Sequence, residues 1–328
     1  MNSPMQRPHH QSGRDVALKS FFGKALYFLL IGLFTGVSSQ GAQIVIVRTS
    51  DAEPYVQAGA ALESRLVEAH ESVRNVLAKD LSAQGLMVGI GKADAVVAVG
   101  TPAARWLQKQ LPVDVKLVYC MVSDAASAGL LEGRPSTGIT IDVPIGEQIK
   151  LIAEALPRAR TVGVLYRSGA PESKDVLQLL QKSIPEDWRV QAIAVNDFPS
   201  IAEAITALID KRVDVIWTAP DAKIFDSAAV RTLLLAAVRA KVPVWGFSPA
   251  FVRAGALLGV GVEPASQGKQ AAELVIESLS EHPPTAERAV PPQQFQIAVN
   301  LIVARQLDVE VPESLRQRAA FVYQPEEK

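Results

Sequence analysis

Carboxylates, hydroxyls and aromatic rings recur in this sequence at the ends of short apolar runs. Ser50, Asp51 and Tyr55 close or follow QIVIVRTS. Thr101 follows DAVVAVG, Asp124 follows VKLVYCMVS, Tyr166 ends TVGVLY, Asp221 follows VDVIWTAP and Ser248 ends VPVWGFS. These residue types bind rather than react. An acid holds an amine, and rings stack on an apolar group. The segment Gly100-Thr101-Pro102 reads as a helix start, whose free N–H groups suit a carboxylate. Each residue also has a plainer role. Ser50, Asp51 and Thr101 fit helix caps, Asp124 and Asp221 fit solvated loops, and Tyr166 fits a core ring with its hydroxyl at the rim.

Residue types that do covalent or metal chemistry are sparse. Cys120 is the single cysteine and lies in the apolar run KLVYCMV, as a small buried side chain would. His9 and His10 belong to the N-terminal stretch, and His70 and His282 have no neighbours at metal-ligand spacing. No G-x-S-x-G nucleophile motif is present. GIGKAD (89–94) has Asp94 in the third glycine position and precedes a strand, so it is no dinucleotide fingerprint; GVGVEP (259–264) also lacks that glycine. No cofactor, no metal and no catalytic residue is expected, and the chain reads as a non-enzyme.

The elements that would position the candidates alternate in type. Strands are expected over 43–50, 72–78, 94–100, 115–123 and, as a short extended piece, 136–142, with helices over 54–69, 101–111 and 145–158. The pattern then restarts. Strands are expected over 161–167, 188–195, 213–220, 242–248 and 256–262, with helices over 172–184, 200–210, 227–241 and 265–281. The tail reads as one strand followed by short helical pieces. Nearly all-apolar strands alternating with helices imply parallel sheets covered on both faces. Two such series imply two α/β lobes, with a break near Asp142-Val143-Pro144. In open parallel sheets, ligands bind beyond the C-terminal strand ends, where the candidates fall.

The N-terminal stretch sets the compartment. A thirteen-residue apolar run, Ala25–Val37, follows Arg7, Arg14, Lys19 and Lys24, opposed only by Asp15. It is too short for a bilayer span, which takes about 20 apolar residues. Val37 and Ser39 are spaced like the −3 and −1 positions of a cleavage site. Residues 1–39 therefore read as a secretory signal peptide, with the mature chain beginning near Gln40 in the periplasm. Cleavage removes four basic groups and one acid, taking the net charge from −1 to −4. With no basic stripe, nucleic acid is not an expected partner. The 48% hydrophobic and 20% charged content describes a globular core rather than a disordered chain.

Several segments together resemble a known family: SDAEPY (50–55), AVGTPAA (98–104), MVSDAASAGLL (121–131), TGITIDVP (137–144), VGVLY (162–166), DVIWTAPD (214–221), the stretch 242–275 containing FVRAGAL, and AVNLIVARQLDVEVPESL (298–315). In order and spacing they are similar to the ABC-transporter substrate-binding proteins, a group that includes binders of aromatic and other amino acids. The resemblance covers almost the whole mature chain. It implies a type I periplasmic-binding fold, two Rossmann-like lobes joined by three crossovers, with residues 43–142 plus about 263–290 forming one lobe and 143–262 plus about 291–328 the other. Ligand contacts carry over onto Ser50, Thr101, Asp124 and Asp221, then Tyr55, Tyr166 and Ser248. Two departures stand out. A G-Y-x-x-G-x-N stretch is replaced by EAHESVRNVLAKDL, and Arg167 stands where many members have Asn. The expected function is capture of a small solute, an amino-acid-like one among the candidates, by a monomer that delivers it to an inner-membrane ABC permease. The alternative is a periplasmic ligand-sensing module for a receptor kinase or cyclase.

Overall fold

The computed structural model describes residues 41–80, 90, 92–280 and 288–324. The leader expected over 1–39 lies outside the described residues. The first lobe is built on β1 (Gln43–Arg48), β2 (Ser72–Leu77), β3 (Ala95–Val99), β4 (Lys116–Val122) and β5 (Ser136–Thr140), with helices α1 (Glu53–Glu68) and α2 (Thr101–Gln110). The second lobe begins with α3 (Ile145–Ala155) and β6 (Thr161–Tyr166). It continues through α4 (Pro171–Ser183), β7 (Arg189–Ala194), α5 (Ile201–Asp210), β8 (Val215–Trp217), α6 (Ser227–Arg239), β9 (Val244–Gly246), α7 (Pro249–Ala254) and β10 (Leu258–Val262). The chain then returns as α8 (Pro264–Leu279) and β11 (Arg288–Val290) before ending in β12 (Phe295–Asn300), α9 (Leu301–Leu307), α10 (Glu313–Arg318) and β13 (Ala319–Tyr323).

Both sheets repeat one topology. The first runs β11-β5-β4-β3-β1-β2, all parallel, and the second runs β13-β12-β10-β9-β8-β6-β7, with only β12 antiparallel to its neighbour β10. Within each series the first strand lies second from one edge and the third lies beside it. The chain winds outward in both directions from that point, and the crevice there is the natural ligand position. Three segments pass between the sheets: 141–144 before α3, residue 263 before α8, and 291–294 between β11 and β12.

The strands form because both faces can be buried. In β1, Ile44 and Ile46 pack with Leu62 and Leu66 of α1 and Val275 of α8, while Val45 and Val47 pack on the other face with Leu107 of α2. This is the period-2 alternation of a strand. α8 returns to the first lobe and meets α1 backbone to backbone: a Cβ on Gly268 would lie 2.1 Å from the Ala58 carbonyl oxygen. In the second lobe, Val164, Trp217 and Trp245 face α3, and Leu165, Ile216 and Val244 face α5 and α6. Three elements depart from expectation. The short strand β11 stands outside the expected series. Residues 249–254 form the separate short helix α7, and the chain end contributes the edge strand β13 rather than only helical pieces.

A half-buried amide ties the first crossing segment to the second core. Gln148 Oε1 accepts the indole N–H of both Trp217 and Trp245, each at 2.9 Å, and its Nε2 donates to the Val143 carbonyl at 2.7 Å. Replacing Gln148 with Leu orphans two buried donors, each costing about 1–3 kcal/mol. Urea unfolding of Gln148→Leu should show a loss in that range or larger, with an unchanged m-value. A loss below the bottom of that range would mean the indoles find other partners.

Candidate functional site

The strand ends of the first lobe are built around close packing. Thr49, just past β1, accepts the Ala103 N–H through Oγ1 at 3.2 Å, so the cap of α2 comes from a neighbouring strand. Gly100 precedes that helix at φ 101, and a Cβ there would sit 2.5 Å from Thr49 Oγ1 and 2.9 Å from the Tyr55 ring. Only glycine fits both constraints. Thr101 is therefore the first helical residue, and Tyr55 packs beside the turn. Ser50 Oγ accepts the Ala52 N–H at 3.3 Å. Asp51 is exposed and pairs with Arg48 at 3.3 Å and Lys79 at 3.9 Å.

Asp124 lies where β4 leaves its sheet. The register shifts between Tyr119 and Val122, and Met121 sits at φ 56. The Met121 N–H freed by this irregularity donates to Oε1 of buried Gln267 on α8 at 3.1 Å, and Gln267 Nε2 donates to the Thr140 carbonyl at 3.1 Å. Asp124 itself has φ 43, and its N–H donates to Asp142 Oδ2 at 2.8 Å. Burial pushes the Asp142 carboxyl up, the Asp124 N–H opposes that, and the Asp124 charge adds to it. The Asp124 carboxylate accepts the Ser127 N–H at 3.0 Å and the Ser127 hydroxyl.

The second lobe presents a charged network at the junction of β6 and β8. Tyr166 ends β6, and Arg167 follows with its N–H on Ser173 Oγ at 2.9 Å. The Arg167 guanidinium donates from Nε to Asp221 Oδ2 at 2.9 Å and from Nη2 to Glu172 Oε1 at 2.7 Å. Hydrogen bonds to Asp221 and then Glu172 push the arginine up. Glu172, in the first turn of α4, is held below the usual carboxylate range by its own N–H and then by Arg167. The other Asp221 oxygen accepts the Lys223 N–H at 2.9 Å.

These groups border a cleft of about 520 Å³. Asp124 and Ser127 supply the first lobe's wall. Tyr166, Arg167, Glu172, Trp217, Asp221 and Phe225 are prominent on the second lobe's side. Of the residues expected from sequence, the structure brings Asp124, Tyr166 and Asp221 to this space. Ser50, Asp51, Tyr55 and Thr101 gather at the neighbouring β1 and β3 ends, outside its lining. Ser248 caps α7, accepting the Phe251 N–H at 3.2 Å, and lines a different hollow beside α6 and α7. Sequence reasoning missed Glu172 and Trp217. Trp217 shares a strand face with Val215 and Ala219, a parity readable in VDVIWTAP, but nothing local marks that face as open at one end.

Comparison with known proteins agrees with this architecture. The family model described as ABC transporter substrate binding protein matches residues 79–323. A curated tyrosine-binding protein of Clostridioides difficile (strain R20291) is 25% identical over 194 residues, which cover 57% of this chain; the chain spans 55% of that relative's length. The ligand-free, open structure of a substrate binding protein with adhesive properties from Clostridium difficile superposes with a TM-score of 0.68 at 19% identity, covering 87% of this chain and all of that one (100%). An ABC domain from Streptococcus pneumonia in complex with L-Trp gives 0.56 at 21% identity, over 85% of this chain and 99% of that one. From the family match over most of its length and the paired sheets with their cleft, the chain is a member of the ABC transporter substrate-binding protein family.

Proposed function

We propose that this protein captures a small amino-acid-like solute in the cleft between its lobes, outside the cytoplasmic membrane, and hands it to an ABC permease. The observation that carries the reading is the cleft's position. It opens at the β6–β8 switch point, where one wall belongs to each lobe and carboxylates and rings face the same space. The tyrosine-binding relative supports an amino-acid-like guest. Asp124 receives the guest's ammonium, and Tyr166 with Trp217 shapes the apolar part of the space. The guest is held and released unchanged. Contacts from both walls favour the closed arrangement, which the permease recognises.

Isothermal titration of the protein with tyrosine and other amino acids tests capture. Binding by at least one of them is expected. Asp124→Ala should weaken it by about 1.5–3 kcal/mol, roughly 10–100-fold in Kd, as for a hydrogen bond to a charged group. An unchanged Kd would remove Asp124 from the site. Export is tested separately. N-terminal sequencing of the protein recovered from the periplasm should begin near Gln40, and a chain still beginning at Met1 would contradict leader cleavage.

A further inference from the structure

The charges around the cleft are unequal. Four charged side chains line it: Asp124 on the first wall, with Arg167, Glu172 and Asp221 on the second. One guanidinium faces three carboxylates, leaving the lining at −2 near neutral pH. That guanidinium is already committed to Asp221 and Glu172. Among the described residues, Asp124 has only the uncharged Ser127 groups on its carboxylate. Asp124 and Glu172 nevertheless line the same cleft from its two walls, so their like charges repel across one space. Drawing the walls together around a neutral or anionic guest would sharpen this repulsion, and a cationic guest removes it. The rings of Tyr166, Trp217 and Phe225 border the same volume, and aromatic faces also attract cations.

We propose that the cleft selects a solute of net positive charge, an amine lacking a compensating carboxylate or a basic amino acid, and that Arg167 sets how much charge the guest must bring. Asp124 and Glu172 take the ammonium from the two walls, while Arg167 keeps Asp221 occupied. Replacing Arg167 with a neutral residue raises the imbalance and with it the preference for cations.

This inference rests on the capture reading, and a matched titration series separates the two. Tyrosine and tyramine share a ring and an amine and differ in the carboxylate; lysine and glutamate extend the charge range. Tyramine should bind about tenfold or more tightly than tyrosine, equivalent to about 1.4 kcal/mol. Lysine should bind measurably and glutamate should not, and the tyramine advantage should shrink as salt is added. Arg167→Gln should widen the tyramine-to-tyrosine ratio, and Arg167→Lys, which keeps the charge, should restore it. Tyrosine binding as well as tyramine, or better, overturns selection for positive charge and leaves capture standing. Binding of none of the four overturns amino-acid-like capture and this inference with it. A ratio unchanged in Arg167→Gln, in protein melting like the wild type, overturns the part given to Arg167.

Discussion

In a parallel sheet every strand points the same way, so all C-terminal ends lie along one edge. That constraint governs this molecule twice, in β1–β5 and in β6–β10, which wind in the same order, while β12 and β13 run the other way at the second sheet's edge. Each edge collects the residues that follow its strands. In the first lobe these are Thr49, Gly100 and Asp124; in the second they are Arg167 and Asp221. The cleft is the place where the second of these edges meets Asp124 and Ser127 of the first. No residue in it needs an unusual environment to be placed there. The direction of the strands does the placing, and the helix starts and turns fix the final orientation.

Two glutamines, Gln267 buried and Gln148 half-buried, connect this arrangement to the segment that joins the lobes. Gln148 holds the Val143 carbonyl from the second lobe, and Gln267 holds the Thr140 carbonyl from the first. The same side chains reach the walls of the cleft. Gln148 accepts the indole N–H of Trp217, and Gln267 accepts the N–H of Met121 at the irregularity that leads to Asp124. A buried amide left without partners is costly, so each bond restrains the others. The first crossing between the lobes and both walls of the cleft thus share one set of hydrogen bonds. Closure that preserves this set must pivot about the crossing rather than tear it.

Much of the fold is written in local pattern. The alternation of Ile44 and Ile46 against Val45 and Val47 marks β1 as buried on two faces, and β3 and β4 carry a similar signature. The edge strand β13 is not legible, because most of AAFVY is exposed and its strand character comes from pairing with β12. The short helix α7 needed only the Ser248-Pro249 start, which reads in hindsight as a cap followed by proline. The site divides in the same way. Strand-end logic leads to Asp124, Tyr166 and Asp221. Arg167 stands out in sequence only as a substitution for Asn, since one of its partners, Asp221, lies 54 residues away and meets it only through the β6–β8 pairing. Glu172 looks like an ordinary first-turn acid until Arg167 and Asp124 are placed around it.

Closure of the two walls on a guest is tested most directly by small-angle X-ray scattering. The radius of gyration of the protein is measured alone and at saturation with whichever amine or amino acid titrates most tightly. Hinge closure predicts a smaller radius and a shorter maximum dimension in the saturated state. A radius that stays the same while calorimetry shows the site filled would contradict closure and leave a rigid pocket in its place.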